Sequence, residues 1–226
     1  MKPNEKIAIG YITHGLIWAA FVNSIHVLLL QRPEKIHSVI DEVGPYINVN
    51  RHFLAKRFLE TDADWLLMLD TDVVLDPASY DVLIDAADSE KHPLLAGKYF
   101  FYFPADDVQF HVSAQTFDIT PDNDLGWLSS YPQNTIIGGL KQVATGLMIV
   151  HRSVFEKIRD NKPDSKAPWF WNGLDVDGFN IVTEDDYFCE QARNVGIDIA
   201  IHTGVTARHI RKMAVVEDYF LKQSVV

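Results

Sequence analysis

The stretch "WLLMLDTDVVLDP", residues 65–77, decides the fold. Successive residues of a strand point to opposite faces. A run that is apolar on both faces, as "WLLML" is, therefore predicts an internal strand of a parallel sheet with helices on either side. The run ends in Asp70 and Asp72. In an extended chain residues i and i+2 share a side, so two carboxylates crowd the strand end, at a cost unless something positive lies between them. Asp76-Pro77 then supplies an N-cap and a proline at the first helical position, predicting a helix through "ASYDVLIDAAD".

Strand–helix alternation extends upstream. "KIAIGYITHG" is a short apolar strand closed by Gly15, followed by a helix from about Leu16 to Gln31 that stops near Pro33. "HSVIDEVG" and "YINVNR" predict a second strand region. "NRHFLAKRFLETDAD" predicts a helix with Phe53, Leu54, Phe58 and Leu59 on one face. Downstream of the acidic pair, "HPLLAGKYFFY" is the next strand. This order predicts an α/β fold with a largely parallel sheet. The second half is looser: a strand in "VQFHVSAQTFDI", loop and edge in "LGWLSSYPQNTIIGG", and a strand running into a helix in "VATGLMIVHRSVFEKIRD". A loop over 163–180 precedes the helix "EDDYFCEQARNVG", which Gly196 ends. "DIAIHTGV" is a last strand and "RHIRKMAVVEDYFLKQSVV" a tail.

A chain of 226 residues suits one large domain with a full core, and 47% hydrophobic with 23% charged residues is ordinary for a soluble protein. The single cysteine, Cys189, excludes an internal disulfide and favours a reducing, cytoplasmic setting. Twenty basic against 31 acidic residues give a net charge of −11, which argues against nucleic acid or an anionic membrane as a partner. "GLIWAAFVNSIHVLLL" is broken by Asn23, Ser24 and His26 and falls short of about 20 continuous apolar residues, so no integral membrane segment is expected. Glu5 and the strand before it speak against a signal peptide.

Asp70 and Asp72 stand at the carboxyl end of a strand, where open α/β sheets bind ligands. Aspartate is also common wherever a strand turns. "DVD" at 175–177, with no strand before it, shows how often the pattern arises by chance. Hard cations such as Mn²⁺ and Mg²⁺ take one or two carboxylates and leave other positions to substrate phosphates, so a metal–diphosphate site is the expectation.

Two enzyme classes fit the pair. Haloacid-dehalogenase-like phosphatases carry a similar Asp-x-Asp, satisfied by "LDTDVV", with Asp70 as the covalent nucleophile; their motif usually sits on the first strand, whereas two strand–helix units precede it here. The other class accounts for more of the chain. "ETDADWLLMLDTDVVLDP", "ATGLMIVHRSVFEKI" and "TEDDYFCEQARNVGIDIAIHTGVTARH", in that order, resemble the family 2-like GT-A glycosyltransferases, phage-type members included, from about Ile7 to His209. A sugar nucleotidyltransferase would want a Gly-rich basic loop after strand one, which "GYITHGLIW" lacks. A sugar-binding module would not need both acidic pairs.

The resemblance implies a single GT-A domain over 1–226, with a Rossmann-like, mostly parallel sheet and a smaller mixed acceptor-side sheet. Residues 1–97 would form the nucleotide half and 98–226 the acceptor half with a flexible C-terminal tail. It implies a nucleoside diphosphate-sugar donor, UDP-sugar by default, Mn²⁺ or Mg²⁺, and a sugar, glycan or protein hydroxyl as acceptor. For a phage protein the setting would be the host cytoplasm. Asp72 would ligate the metal directly, Asp70 would meet the ribose or reach the metal through water, and His209 would be a late metal ligand, with His202 as competitor. Asp185 would be the base of an inverting reaction and Glu184 would orient the acceptor, although Thr183 and Asp186 also form a capping-box pattern there. Tyr11, Thr13, Arg51 and Lys98 would face the donor, and Arg208, Arg211 and Lys212 would close on the diphosphate. Thr145-Gly146 would let substrate approach the backbone, and Trp169 and Trp171 would offer aromatic faces to the acceptor.

Overall fold

The computed structural model describes residues 1–103, 109–117, 126–174 and 181–210. The first half contains β1 (Ile7–Thr13), α1 (Ala19–Gln31), β2 (Ile36–Val43), α2 (Ile47–Leu59), β3 (Trp65–Leu69), β4 (Val73–Leu75), α3 (Pro77–Ala86) and β5 (Leu94–Lys98). Then come short strands β6 (Phe100–Phe103), β7 (Gln109–Val112), β8 (Ala114–Gln115), β9 (Ile136–Ile137) and β10 (Gln142–Val143). The chain continues through β11 (Leu147–His151), α4 (Arg152–Asn161), β12 (Gly173–Leu174), β13 (Ile181–Val182), α5 (Glu184–Asn194) and β14 (Ala200–His209).

The central sheet has the order β2-β1-β3-β11-β5-β14-β4, with β9 also paired to β14. β2, β1, β3, β5 and β14 run the same way. β11 enters between β3 and β5 in the opposite sense, so β3 is parallel to β1 but antiparallel to β11. β4 and β9 are antiparallel to β14. Small antiparallel pairs, β6 with β7, β8 with β10 and β12 with β13, complete the fold.

Alternation along β3 builds the two cores. Leu66 and Met68 face one side and pack with Leu54 and Phe58 of α2, Phe155 and Ile158 of α4, and Phe188 of α5. Trp65, Leu67 and Leu69 face the other, with Phe21, Ile25 and Leu28 of α1 and Tyr80, Leu83 and Ile84 of α3. All five residues of β3 are buried. Each large apolar side chain so buried contributes about 1.5–3 kcal/mol, which explains why this run dictates the architecture.

Asp76 caps α3 by accepting from Ser79 N–H, with Pro77 at the first helical position. Gly196, at φ +77°, takes the left-handed conformation that ends α5. Thr183 and Asp186 close the capping box of α5.

Other expectations need correction. "YINVNR" is not strand: Ile47 opens α2. Its buried face runs through Asn50, Arg51, Leu54, Ala55 and Phe58, which leaves Phe53 47% exposed. The first helix starts at Ala19, because Gly15 at φ +100° and the Thr13 hydroxyl, donating to Leu16 O, shape a turn there. That leaves Leu16 85% exposed. Arg208 and His209 belong to β14, paired with Val74 and Val73 of β4, and not to the tail. Among the described residues no helix is long and apolar enough to cross a membrane.

Candidate functional site

β3 does not carry the two aspartates on one extended face. The strand ends at Leu69, and Val73 N–H donates to Asp70 O at 2.9 Å, closing a turn over Thr71 and Asp72. The carboxylates therefore part company, and each meets its own partner.

Asp70 meets Arg51. From the second turn of α2 this buried guanidinium donates through Nη2 to Asp70 Oδ1 at 2.8 Å and Oδ2 at 3.1 Å. Through Nη1 it donates to Asp185 Oδ1 at 2.8 Å and to Glu184 Oε1 at 2.5 Å. One buried cation thus joins three carboxylates from β3 and α5. Burial works against the charge of Arg51, but the pull of Asp70, then Asp185 and Glu184, outweighs it and holds the pKa above its ordinary value. The acids are shifted upward as well, which for a carboxyl favours the neutral form. Burial raises Asp185 despite Arg51 and Thr145, and burial together with Asp185 raises Glu184.

Among the described residues the hydrogen bonds to Asp185 all reach one oxygen. This Oδ1 accepts from Arg51, from Thr145 N–H at 3.3 Å, and from the Thr145 hydroxyl. Thr145 is fully buried, so this anchoring is fixed by the core. Next to it, Gly146 O accepts from Asp70 N–H at 3.0 Å. A Cβ at Gly146 would lie 2.6 Å from Asp70 Oδ2 and 2.5 Å from Tyr99 Oη, which only glycine avoids. Tyr99, buried beside the cluster, has its phenol pushed well above the ordinary range by burial and then by the charge of Asp70.

Asp72 meets His209. Nε2 of the ring lies 3.3 Å from Asp72 Oδ2, and Nδ1 lies 3.0 Å from Phe100 O. A carbonyl only accepts, so Nδ1 carries a proton. In the neutral ring Nε2 is then a lone pair confronting a carboxylate oxygen. Such a facing pair calls for a proton or a metal ion between the two atoms, and a carbonyl behind the imidazole is the usual support of a metal-binding histidine. The donor set fits Mn²⁺ or Mg²⁺. Among the described residues no group of three or more His, Cys, Asp or Glu forms a closed metal cage. Two protein donors with the rest from phosphate and water is the pattern these ions adopt.

A cavity of about 280 Å³ opens against Glu184, Asp185 and Asp186, walled by Phe101, Trp127, Ser113 and Gln142.

The remaining expected residues divide. Asp70 is engaged by Arg51 through both oxygens. Arg51 is turned to the carboxylates rather than outward to a donor. Thr13 shapes the turn after β1, and Tyr11 packs edge-on to Phe21 at 5.3 Å. Lys98 is buried, donates to Thr203 O and lies over the Tyr131 ring, so its charge is spent within the fold. Arg208 is exposed on β14 opposite Val74. His202 lies on β14 opposite Ile136. Trp169 is 5% exposed, and its indole N–H donates to Phe155 O at 2.8 Å. It packs largely within the core. Trp171, 40% exposed near Tyr187, remains available. Arg211, Lys212 and the "DVD" at 175–177 lie outside the described residues. Sequence reasoning missed Tyr99 and the carbonyl of Phe100. Their one signal was position, directly after Lys98 at the end of β5.

Comparison with known proteins bears on the fold alone. No family model and no curated protein matches the chain. Among solved structures it is similar to A197 from STIV, at 16% identity and a TM-score of 0.58, over 92% of this chain and 86% of that one. It is also similar to GalNAc-T7, solved with UDP, GalNAc and Mn²⁺, at 10% identity and a TM-score of 0.59. That match covers 94% of this chain but 45% of GalNAc-T7. The fold is GT-A-like.

Proposed function

We propose that this protein is a divalent-metal-dependent glycosyltransferase of the family 2-like kind, moving a sugar from a nucleoside diphosphate-sugar, UDP-sugar by preference, to a hydroxyl acceptor. The observation that carries this reading is the juxtaposition at one end of the sheet. A histidine–carboxylate pair suited to a metal and its diphosphate stands beside a largely enclosed acid pair suited to an acceptor, with Tyr99, whose ring packs on His209, next to both. The GT-A-like fold, shared with a protein solved with UDP, GalNAc and Mn²⁺, supports it.

In this reading residues 1–97 hold the donor and the later half holds the acceptor. Asp72 and His209 would hold the ion, which when bound would stabilise the negative charge on the departing diphosphate. Asp185 is the base. With Oδ1 saturated, Oδ2 takes the proton of the acceptor hydroxyl as that oxygen attacks the anomeric carbon and the bond to the diphosphate oxygen breaks. Inversion follows from that single displacement. Arg51 and Thr145 hold Asp185 at its station, Glu184 orients the acceptor hydroxyl, and the cavity against Asp185 takes the acceptor with Trp171 near its approach. The phosphatase alternative needs Asp70 as nucleophile, and both oxygens of Asp70 are committed to Arg51.

Calorimetric titration of UDP and of GDP, with and without Mn²⁺, on the wild type and Asp72→Ala tests the reading. Binding of one nucleotide that requires metal and is lost in the variant is expected. Absence of binding by either nucleotide under any metal overturns it.

A further inference from the structure

On the outer side of α2, one residue along from Arg51, lies a groove of about 370 Å³ that the proposed chemistry does not use. His52, Lys56, Leu59 and Glu60 recur at helical spacing and form one wall. Arg159, at the end of α4, and the loop residues Ser165, Lys166, Pro168 and Trp169 form the other.

Its charge runs against the molecule. In a chain of net charge −11, this groove gathers Lys56, Arg159 and Lys166 against Glu60 as the only acid of its lining. Arg159 also pairs with Asp160 at 2.9 Å, but both side chains are about half exposed or more, so the pair is screened and weak. The floor is apolar and rigid. Pro168 and Trp169 are buried, and the Trp169 indole is pinned to Phe155 O. The His52 ring lies against Trp169, centroids 5.1 Å apart and planes 33° apart. His52 Nδ1 is enclosed, with no hydrogen-bond partner among the described residues, so His52 lines the groove with the other atoms of its ring.

We propose that this groove is a binding site for a small organic phosphate monoester, distinct from the donor site. The phosphate would be held by Lys56, Arg159 and Lys166, with the apolar body on Leu59, Pro168 and Trp169. Cations around an apolar floor select for a ligand that is anionic at one end and apolar at the other, and they disfavour a simple inorganic anion.

The test uses ¹⁵N-labelled full-length protein in the presence of a metal chelator, so that no metal-dependent nucleotide site contributes. Phenyl phosphate is titrated while the indole N–H resonances of the five tryptophans are followed, that of Trp169 being assigned with Trp169→Phe. A saturable shift confined to Trp169 is expected, with about tenfold weaker binding in Lys56→Gln/Lys166→Gln for the loss of two charged contacts. UDP–Mn²⁺ titration of that double variant should match the wild type, which separates failure of this site from failure of the glycosyltransferase reading. The proposal is overturned if Trp169 does not shift, if benzyl alcohol or sodium chloride at equal ionic strength shifts it equally, or if the double variant binds phenyl phosphate as tightly as the wild type.

Discussion

The two acidic residues that close β3 end in opposite circumstances. Asp70 is drawn into a network in which Arg51 is buried and every carboxylate has a named partner. Asp72 faces His209 across 3.3 Å with its side chain 30% exposed. The first arrangement draws its cation from the chain itself, and removing that cation strands the buried Glu184 and the half-buried Asp70 and Asp185. The second is more open: Nε2 of His209 faces a carboxylate oxygen in a geometry that a proton or an added cation would bridge. Residues two apart in sequence thus reach different neighbours, because the turn at Thr71 parts them.

Arg51→Ala breaks the comparison most severely. It should cost about 3–5 kcal/mol in denaturant unfolding, the usual penalty for leaving buried charge without its partner, and abolish transfer as well. Arg51→Lys should recover part of the stability, since one ammonium cannot reproduce the fork. Asp185→Asn comes next: transfer should fall roughly 10²–10⁴-fold while the far-ultraviolet dichroism and nucleotide affinity stay at wild-type values. Retained turnover in that variant would remove Asp185 as base. Asp72→Ala should sharpen the contrast by changing unfolding free energy by no more than about 1 kcal/mol, while His209→Ala, which also loses ring contacts to Tyr99 and Phe101, should cost somewhat more. Each should nonetheless weaken Mn²⁺-dependent UDP binding by at least roughly tenfold. A large loss of stability in either would make the pair structural after all.

The smallest effect is one of pH. Because burial raises Asp185, the folded cluster holds a proton more tightly than the unfolded chain does. Stability from this source is present at low pH and falls as pH rises from the ordinary aspartate range to the raised value. Activity moves the other way, rising as Asp185 ionises, so the acid limb of kcat/KM should lie above the range of an ordinary aspartate. Thr145→Val removes a hydrogen bond that favours the charged form and should move that limb further up in pH, with only a modest loss of rate.

Much of this was legible in the residues. The apolar run 65–69 gave the central strand, Asp76-Pro77 and Thr183/Asp186 marked helix starts, and Gly196 marked a helix end, because each of these signals is local. What sequence reading lost was set by distant partners. The strand logic applied to Asp70 and Asp72 failed because β3 stops at Leu69, one residue before the pair. Arg51 was taken for a donor contact since nothing nearby shows that Glu184 and Asp185, more than 130 residues on, converge on it. Trp169 reads as an exposed aromatic in a proline-rich loop until the carbonyl of Phe155 is seen to hold it. β11 was recognised as a strand, but its reversed direction depends on the path of the chain between β5 and β11.

β14 carries a consequence for the order in which the molecule is made. It pairs with β5, β9 and β4 and delivers His209 to Asp72, yet it begins at Ala200. A chain still emerging from the ribosome can already hold Arg51, Asp70 and Asp185 within reach of one another while one side of β5 stays unpaired, an edge that invites association with other chains. The site gains its histidine in the same event that covers that edge. Closing the sheet and bringing His209 to Asp72 are therefore one step of synthesis, and a chain stopped short of it lacks both.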